Sequence, residues 1–131
     1  MIVVDTSVWI AAFRDADAAP ARVLRQLLDA DEVALAVPAR TELLAGVSRR
    51  DRPALRRALS ALPLLYPTDD TWVTIDGWVT RAADAGQSFS LGDLLIGALT
   101  SELGALVWSL DADFERMEKL NLIERYHSGR D

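Results

Sequence analysis

Short apolar runs alternate with longer segments of helical spacing along the whole chain. Between the runs, apolar residues recur every three or four positions, which is typical of amphipathic helices. The runs predict strands at 2–4, 33–37, 64–66, 105–110 and 122–126. The spaced segments predict helices at about 6–13, 20–28, 38–47, 52–62, 69–83, 90–103 and 111–120. Asp69 and Asp70 are expected to cap the fifth of these helices.

This regular alternation of strands and helices predicts an α/β fold, specifically a three-layer α/β/α arrangement with a mostly parallel central sheet. No repeat, low-complexity segment or linker interrupts the pattern, so we expect residues 1–131 to form one domain. In sheets of this kind, ligands bind beyond the carboxyl ends of the strands. The residues that follow each strand are therefore the first place to look for a site.

Composition narrows the class of protein. Half of the 131 residues are hydrophobic and 26% are charged, which is ordinary for a soluble domain. The absence of cysteine excludes disulfides, thiolate zinc sites and cysteine nucleophiles. Glu102 interrupts the longest apolar segment, 94–108, so no membrane span is expected, and a cytoplasmic location is the simplest interpretation. The net charge of −6 argues against a uniformly basic nucleic-acid-binding surface.

Acidic residues stand where the predicted sheet would present them together. Asp5 and Asp111 follow strands directly, Glu42 lies about one turn into a helix after a strand, and Asp93 begins a helix. Two carboxylates ~4 Å apart repel by about 4 kcal/mol at an effective dielectric constant of ~20. A group of them therefore needs bound cations or bound protons. An all-carboxylate cation site favours Mg²⁺ or Mn²⁺.

Each acid also has a structural explanation when it is taken alone. Asp5 could cap the first helix, and Ser90 and Asp93 match a capping box. Asp111, like Asp113 beside it, lies at a strand-to-helix turn, where Asp is common for local reasons. Glu42 lies too far into its helix for a capping role, so its structural alternative is an exposed surface position. Their joint order on an α/β scaffold favours a metal site.

Four segments carry a resemblance to a known family. They are residues 3–7 (Val-Val-Asp-Thr-Ser), 41–46 (Thr-Glu-Leu-Leu-Ala-Gly), 90–98 (Ser-Leu-Gly-Asp-Leu-Leu-Ile-Gly-Ala) and 109–114 (Ser-Leu-Asp-Ala-Asp-Phe). Together they resemble a PIN domain, and more narrowly a VapC-type ribonuclease toxin. The resemblance covers nearly the whole chain. One departure is Ser109, where the family more often has threonine.

The resemblance implies that the protein hydrolyses RNA with Mg²⁺ as its cofactor, or Mn²⁺ as an alternative ion. It also implies that a cognate VapB-type antitoxin inhibits the protein. It also implies a homodimer. The catalytic acids would be Asp5, Glu42, Asp93 and Asp111, and the metal ligands Asp5, Asp93, Asp111 and Asp113. Supporting hydroxyls would come from Thr6, Ser7 and Ser109. Whether Asp111 or Asp113 lies nearer the metal stays open.

Basic residues offer candidate RNA contacts despite the negative net charge. Arg14 and Arg40 lie close in sequence to the acids, and five arginines between Arg49 and Arg57 face a single aspartate. Arg14, Arg40 and Arg49 are the candidate RNA-binding residues, since arginine contacts with phosphate position nucleic acid. The alternatives are a solvated helix face or a surface for an acidic partner.

Other functions explain the sequence less well. A haloacid-dehalogenase-type phosphatase needs a second aspartate two residues after the first, where this chain has Ser7. The Gly-Lys-Ser/Thr signature of P-loop nucleotide hydrolases is absent. The single histidine, His127, excludes ribonuclease chemistry built on two histidines. The alternative from another class is a non-catalytic module that binds metal and either RNA or an antitoxin.

Overall fold

Four parallel strands form the central sheet, in the order β3-β2-β1-β4. The computed structural model of the chain describes residues 1–128. Its strands are β1 (Ile2–Val4), β2 (Val33–Ala36), β3 (Leu64–Leu65) and β4 (Leu106–Trp108). Because β1 pairs with both β2 and β4, every residue of β1 is buried. This explains why residues 2–4 are uniformly apolar rather than alternating.

Helices connect the strands and cover both faces of the sheet, as predicted for a three-layer α/β/α fold. They are α1 (Thr6–Arg14), α2 (Ala19–Asp29), α3 (Val37–Gly46), α4 (Arg52–Ser60), α5 (Asp69–Asp84), α6 (Leu91–Leu103) and α7 (Ala112–Lys119). No helix within residues 1–128 combines the length and apolar character that a membrane span requires. Gly104 ends α6 at φ 67°, a left-handed conformation that glycine adopts without strain.

The predicted strand at 122–126 is wrong. Leu122 and Ile123 are buried, which explains the apolar pattern, but this segment meets the sheet only through one bridge between Arg125 and Val107. Asn121 adopts φ 59°, so the chain turns sharply after α7 before it reaches β4. Burial of side chains without a hydrogen-bonded ladder gives a short apolar run that resembles a strand in sequence.

Two element boundaries also differ from the predictions. Thr68, rather than Asp69 or Asp70, is the N-cap of α5, and its backbone N–H donates to the Thr71 hydroxyl. The two aspartates instead lie in the first turn, where negative charge is favourable. β4 ends at Trp108 rather than residue 110, because the chain then turns toward a group of side-chain hydroxyls.

Gly97 lies where α6 packs most closely on its neighbours. A Cβ atom at this position would lie 2.6 Å from Met117 Cε and 3.1 Å from Trp78 Cζ3. We therefore expect Gly97→Ala to lower the free energy of unfolding by about 1–3 kcal/mol through overpacking. Gly77→Ala, in α5, is the matched control because nothing lies within 4 Å of its added Cβ.

The control substitution should raise the free energy of unfolding by about 0.5–1 kcal/mol through helix propensity alone. Urea unfolding of both variants measures the difference. Equal and stabilising effects of the two substitutions would contradict the packing described for Gly97.

Candidate functional site

Asp5 follows β1 directly and is the N-cap of α1. Only 5% of the residue is exposed. Its Oδ2 atom accepts hydrogen bonds from the Ser7 hydroxyl (2.7 Å), the Ser109 hydroxyl (2.8 Å) and the Ser7 backbone N–H (3.3 Å). Its Oδ1 atom accepts none from residues 1–128. Asp5 is therefore a helix cap that keeps one carboxylate oxygen available for a ligand.

The two serines that hold Asp5 also join the ends of the neighbouring strands β1 and β4. The Ser7 hydroxyl accepts from the Leu110 backbone N–H (3.0 Å), and the Ser109 hydroxyl accepts from the Asp111 backbone N–H (2.9 Å). The chain that leaves β4 is thereby fixed against the start of α1. This arrangement determines where Asp111 begins α7.

Asp93, Asp111 and Asp113 lie close together beside Asp5. Each offers one carboxylate oxygen, and these oxygens lie within 4.8 Å of one another. Ser90 caps α6 by accepting from the Asp93 backbone N–H, and Asp111 caps α7 by accepting from the Asp113 backbone N–H. The helix-capping interactions considered for these acids are thus present in the structure. They position the carboxylates and are compatible with a metal site.

Crowding of negative charge changes the protonation of Asp93. Burial, which has the largest effect, a hydrogen bond with Asp113 and the charges of Asp5, Asp111 and Asp113 together raise the pKa of its carboxyl to about 7. Hydrogen bonds from the Arg116 guanidinium and from Asp93 lower the pKa of Asp113 below its usual range. Asp93 therefore holds a proton that Asp113 accepts, which relieves the repulsion between the acids.

Glu42 approaches Asp5 from α3. Although much of its side chain is exposed, partial burial raises the pKa of its carboxyl, and the charge of Asp5 raises it further. The Thr6 hydroxyl opposes this rise. The Glu42 Oε1 atom lies 3.2 Å from the position of a Cβ at Gly92, next to Asp93. The start of α6 and the middle of α3 are thus adjacent at the site.

The donor set suits a hard divalent cation. All the converging side-chain atoms are oxygens, of the kind that Mg²⁺ and Mn²⁺ prefer. The Thr6 side chain is buried next to Asp5 and adds a hydroxyl that faces the Glu42 carboxylate. Nitrogen and sulfur ligands are absent from the group, which disfavours zinc.

Comparison with known proteins agrees with this geometry. The model of the PIN domain family matches residues 2–120. Ribonuclease VapC11 of Mycobacterium tuberculosis is 32% identical over 129 residues, covering 95% of this chain and 96% of that protein. The chain belongs to the PIN domain family. The family predicted from four short segments is confirmed.

Solved structures share the fold of this PIN domain. VapBC-1 from nontypeable Haemophilus influenzae has a TM-score of 0.78 at 15% identity, covering 99% of this chain and 100% of that one. DNA-bound VapBC from Salmonella typhimurium has a TM-score of 0.79 at 15% identity, covering 97% of each chain. At this low identity the structural likeness shows the fold alone. It confirms the predicted α/β/α architecture.

The three arginines predicted to contact RNA lie at different places on the PIN domain. Arg14 lines a cavity of about 330 Å³ together with Glu42, beside the acids. Arg40 lies on the side of α3 that faces α4 and donates to the Ser60 hydroxyl at 3.2 Å. Arg49 is exposed between these two helices. None of them forms an ion pair with an acid in the described part of the chain.

Sequence reasoning missed Arg116. Its guanidinium donates to Asp113 at 2.6 Å, bonds the Gln87 side-chain oxygen and lies 4.7 Å from the centre of the Phe89 ring. The loop before α6 thereby holds the side chain that fixes Asp113. The three-residue spacing of Asp113 and Arg116 on one helix could have indicated this pair. The contributions of Gln87 and Phe89 have no local sequence signal.

Proposed function

We propose that this PIN domain is a metal-dependent endoribonuclease of the VapC type, which hydrolyses phosphodiester bonds in RNA. The observation that carries the proposal is the convergence of Asp5, Asp93, Asp111 and Asp113 beyond the ends of β1 and β4, with Glu42 facing Asp5. The relative named Ribonuclease VapC11 supports the same chemistry. A non-catalytic module is the second candidate, because the same acids could bind metal without cleavage.

Asp5, Asp93, Asp111 and Asp113 would hold Mg²⁺ or Mn²⁺, and Glu42 would complete the catalytic acids. When bound, such an ion neutralises charge on the scissile phosphate and lowers the pKa of a water molecule. Asp5 would present its free Oδ1 atom while Ser7 and Ser109 fix the carboxylate from behind. Asp93 would release its proton as the cation enters, since a bound cation favours the charged carboxylate.

The proposal extends to partners and location. Neighbouring structures of the same fold are VapBC toxin–antitoxin complexes, which supports a VapB-type antitoxin as the partner that inhibits this chain. As a VapC-type toxin it would act on cellular RNA in the cytoplasm. A homodimer and a single domain over residues 1–131 belong to the same proposal.

We expect purified protein to cleave pooled cellular RNA in Mg²⁺ or Mn²⁺ and to be inactive in EDTA. The acids repel phosphate when no cation is bound, so chelation should stop cleavage and excess Mg²⁺ should restore it. Gel analysis and mapping of the cut ends measure the result. Binding of RNA without metal-dependent cleavage would favour the non-catalytic module, and cleavage that persists in EDTA would contradict the proposal.

Ser109→Ala should lower the cleavage rate by about 10-fold, whereas Ser109→Thr should keep it within about threefold of wild type. The alanine variant loses the hydrogen bonds to Asp5 Oδ2 and from the Asp111 backbone, and such supporting contacts contribute about 10–100-fold to metal sites. Threonine retains the hydroxyl. Single-turnover cleavage over a range of Mg²⁺ concentrations tests this, and equal rates for all three proteins would contradict the positioning role of Ser109.

A further inference from the structure

A second cavity lies on the other side of α3, between this helix and α4. It is open, has a volume of about 360 Å³, and is lined by Arg40, Thr41, Leu44, Ala45, Arg52 and Arg56. Three of the six lining residues are arginines, and none of the acids in the described part of the chain lines the cavity. The same helix carries Glu42 toward Asp5. The cavity is thus separate from the acidic site and shares one helix with it.

Arg52 gives the cavity a fixed positive charge. Its Nε donates to the Leu44 carbonyl at 2.8 Å and its Nη2 donates to the Val47 carbonyl at 3.1 Å. Both acceptors lie at the end of α3, so the guanidinium stabilises the end of that helix. These bonds hold the side chain in one position, and a ligand there would meet a charge that needs no further ordering.

Arg40 contributes another guanidinium to the lining of the cavity. One of its terminal nitrogens donates to the Ser60 hydroxyl at 3.2 Å, but its Nε is buried and has no hydrogen-bond partner within residues 1–128. A buried charged donor without a partner costs free energy. The exposed Arg56 side chain lies on the same cavity and makes no hydrogen bond or ion pair with the described residues.

The surrounding charge is strongly asymmetric. Residues 40–57 contain six of the chain's 14 lysines and arginines but only two of its 20 acids, Glu42 and Asp51. None of the six arginines forms an ion pair within the described part of the chain. The protein as a whole has a net charge of −6, so this concentration of unpaired cations is local. It predicts an anionic ligand for this surface.

We propose that the cavity binds a backbone phosphate of the RNA strand whose scissile bond lies at the acidic site. The guanidinium groups of Arg40 and Arg56 donate to the phosphate oxygens, and the fixed Arg52 adds charge. Arginine matches this role because its planar donors bind two phosphate oxygens at once. The inference rests on the proposed function and adds the residues that position the substrate away from the reacting bond.

The test measures RNA binding separately from cleavage. A fluorescein-labelled 20-nucleotide single-stranded RNA is titrated with protein in EDTA, and anisotropy gives Kd over a range of salt concentrations. Arg56→Gln and Arg40→Gln should each raise Kd by about 3–10-fold and reduce the slope of log Kd against log salt by about 0.7, the value for one phosphate contact. Arg56→Lys should keep most of the slope because the charge remains.

Arg25→Gln is the matched control. Arg25 is exposed on α2 and, among residues 1–128, bonds only the Ala16 carbonyl, so its loss removes one charge without touching the cavity. We expect its Kd to stay within about twofold of wild type. An equal loss of affinity in Arg25→Gln would show that net charge alone matters and would overturn the proposal. Circular dichroism and thermal unfolding of Arg40→Gln verify that its fold is retained, and the exposed Arg56 carries the result independently.

Other outcomes separate this inference from the proposed function. Wild-type protein that cleaves pooled RNA in Mg²⁺, with Arg40 and Arg56 variants that bind RNA normally, would overturn only the phosphate site. If the Arg40 and Arg56 variants lose binding to a poly-glutamate peptide that the wild-type protein binds, while their RNA binding is unchanged, the cavity would be assigned to an acidic protein partner. That result would also overturn the phosphate site. Wild-type protein that neither binds nor cleaves RNA would remove both proposals.

Discussion

Asp5→Asn is expected to reduce metal-dependent RNA cleavage by about 10²-fold or more while leaving the fold intact. Asp5 lies close to both Glu42 and Asp93, since its charge contributes to the raised pKa of each carboxyl. Loss of even a supporting residue costs metal sites about 10–100-fold, so loss of a carboxylate that binds the cation should cost at least as much. No other acid among the described residues of the site lies close enough to the end of β1 to replace Asp5.

The fold should survive because asparagine preserves the shape of Asp5 and its acceptor for the serine hydroxyls. The side-chain oxygen can take the place of Oδ2 and accept from Ser7 and Ser109, as in the wild-type protein. The amide nitrogen then replaces Oδ1 and directs hydrogen-bond donors toward the cation position. The substitution thus removes ligation without removing the cap of α1.

Single-turnover cleavage of pooled RNA in Mg²⁺ measures the effect, with circular dichroism as the test of folding. Asp76→Asn, an exposed position on α5, is purified in parallel as a charge-matched control and should cleave at the wild-type rate. This control also reveals any contaminating ribonuclease. Cleavage by Asp5→Asn within about threefold of wild type would remove Asp5 from the metal site.

Asp93→Asn should also abolish cleavage, but at neutral pH it should make the metal-free protein more stable. Burial and the neighbouring acids raise the pKa of the Asp93 carboxyl from its ordinary value of 3.8 to about 7. The unfolded chain loses this proton near pH 4 and the folded protein keeps it until about pH 7. The folded state therefore binds more protons in this window, and stability falls as pH rises through it.

The expected gain is about 1–2 kcal/mol at pH 7.5. The full pKa shift would correspond to about 4 kcal/mol, but the side chain is partly exposed and solvent screening reduces the effect. Loss of a favourable charge in the first turn of α6 reduces it further. A gain of this size raises the midpoint of thermal unfolding by about 4–7 °C.

Thermal unfolding in EDTA at pH 4.5 and 7.5 tests the linkage. The advantage of Asp93→Asn should be present at pH 7.5 and much smaller at pH 4.5, which is close to the ordinary pKa of 3.8 and where Asp93 of the folded wild-type protein is protonated. Asp76→Asn should change little at either pH. Added Mg²⁺ or Mn²⁺ should stabilise wild-type protein more than Asp93→Asn, since a ligand stabilises the state that binds it. An equal gain at both pH values would assign the effect to packing instead of charge.

Local sequence was enough to predict most of the secondary structure and the positions of the acids along it. Residues 2–4 have the uniformly apolar pattern of a buried strand because both faces of β1 are covered. The positions of Asp5 just after β1 and of Asp111 shortly after β4 depend only on the order of residues along the chain. The sequence failed at 122–126, where apolar side chains are buried but a single bridge, between Arg125 and Val107, joins the segment to β4. An apolar pattern indicates that side chains are buried, but it does not show which backbone N–H and C=O groups will form hydrogen bonds.

The sequence by itself determined that acids stand at the ends of parallel strands, and that these ends meet at one edge of a sheet. Only the tertiary structure decided how the acids are held. Ser109 bonds an aspartate 104 residues earlier in the chain, and Gln87 and Phe89 hold the arginine that fixes Asp113. The raised pKa of Asp93 likewise depends on its burial and on carboxylates at the starts of α1 and α7. Helices and strands follow from interactions between near neighbours, whereas hydrogen bonds and charge repulsion across the site depend on distances that the fold alone sets.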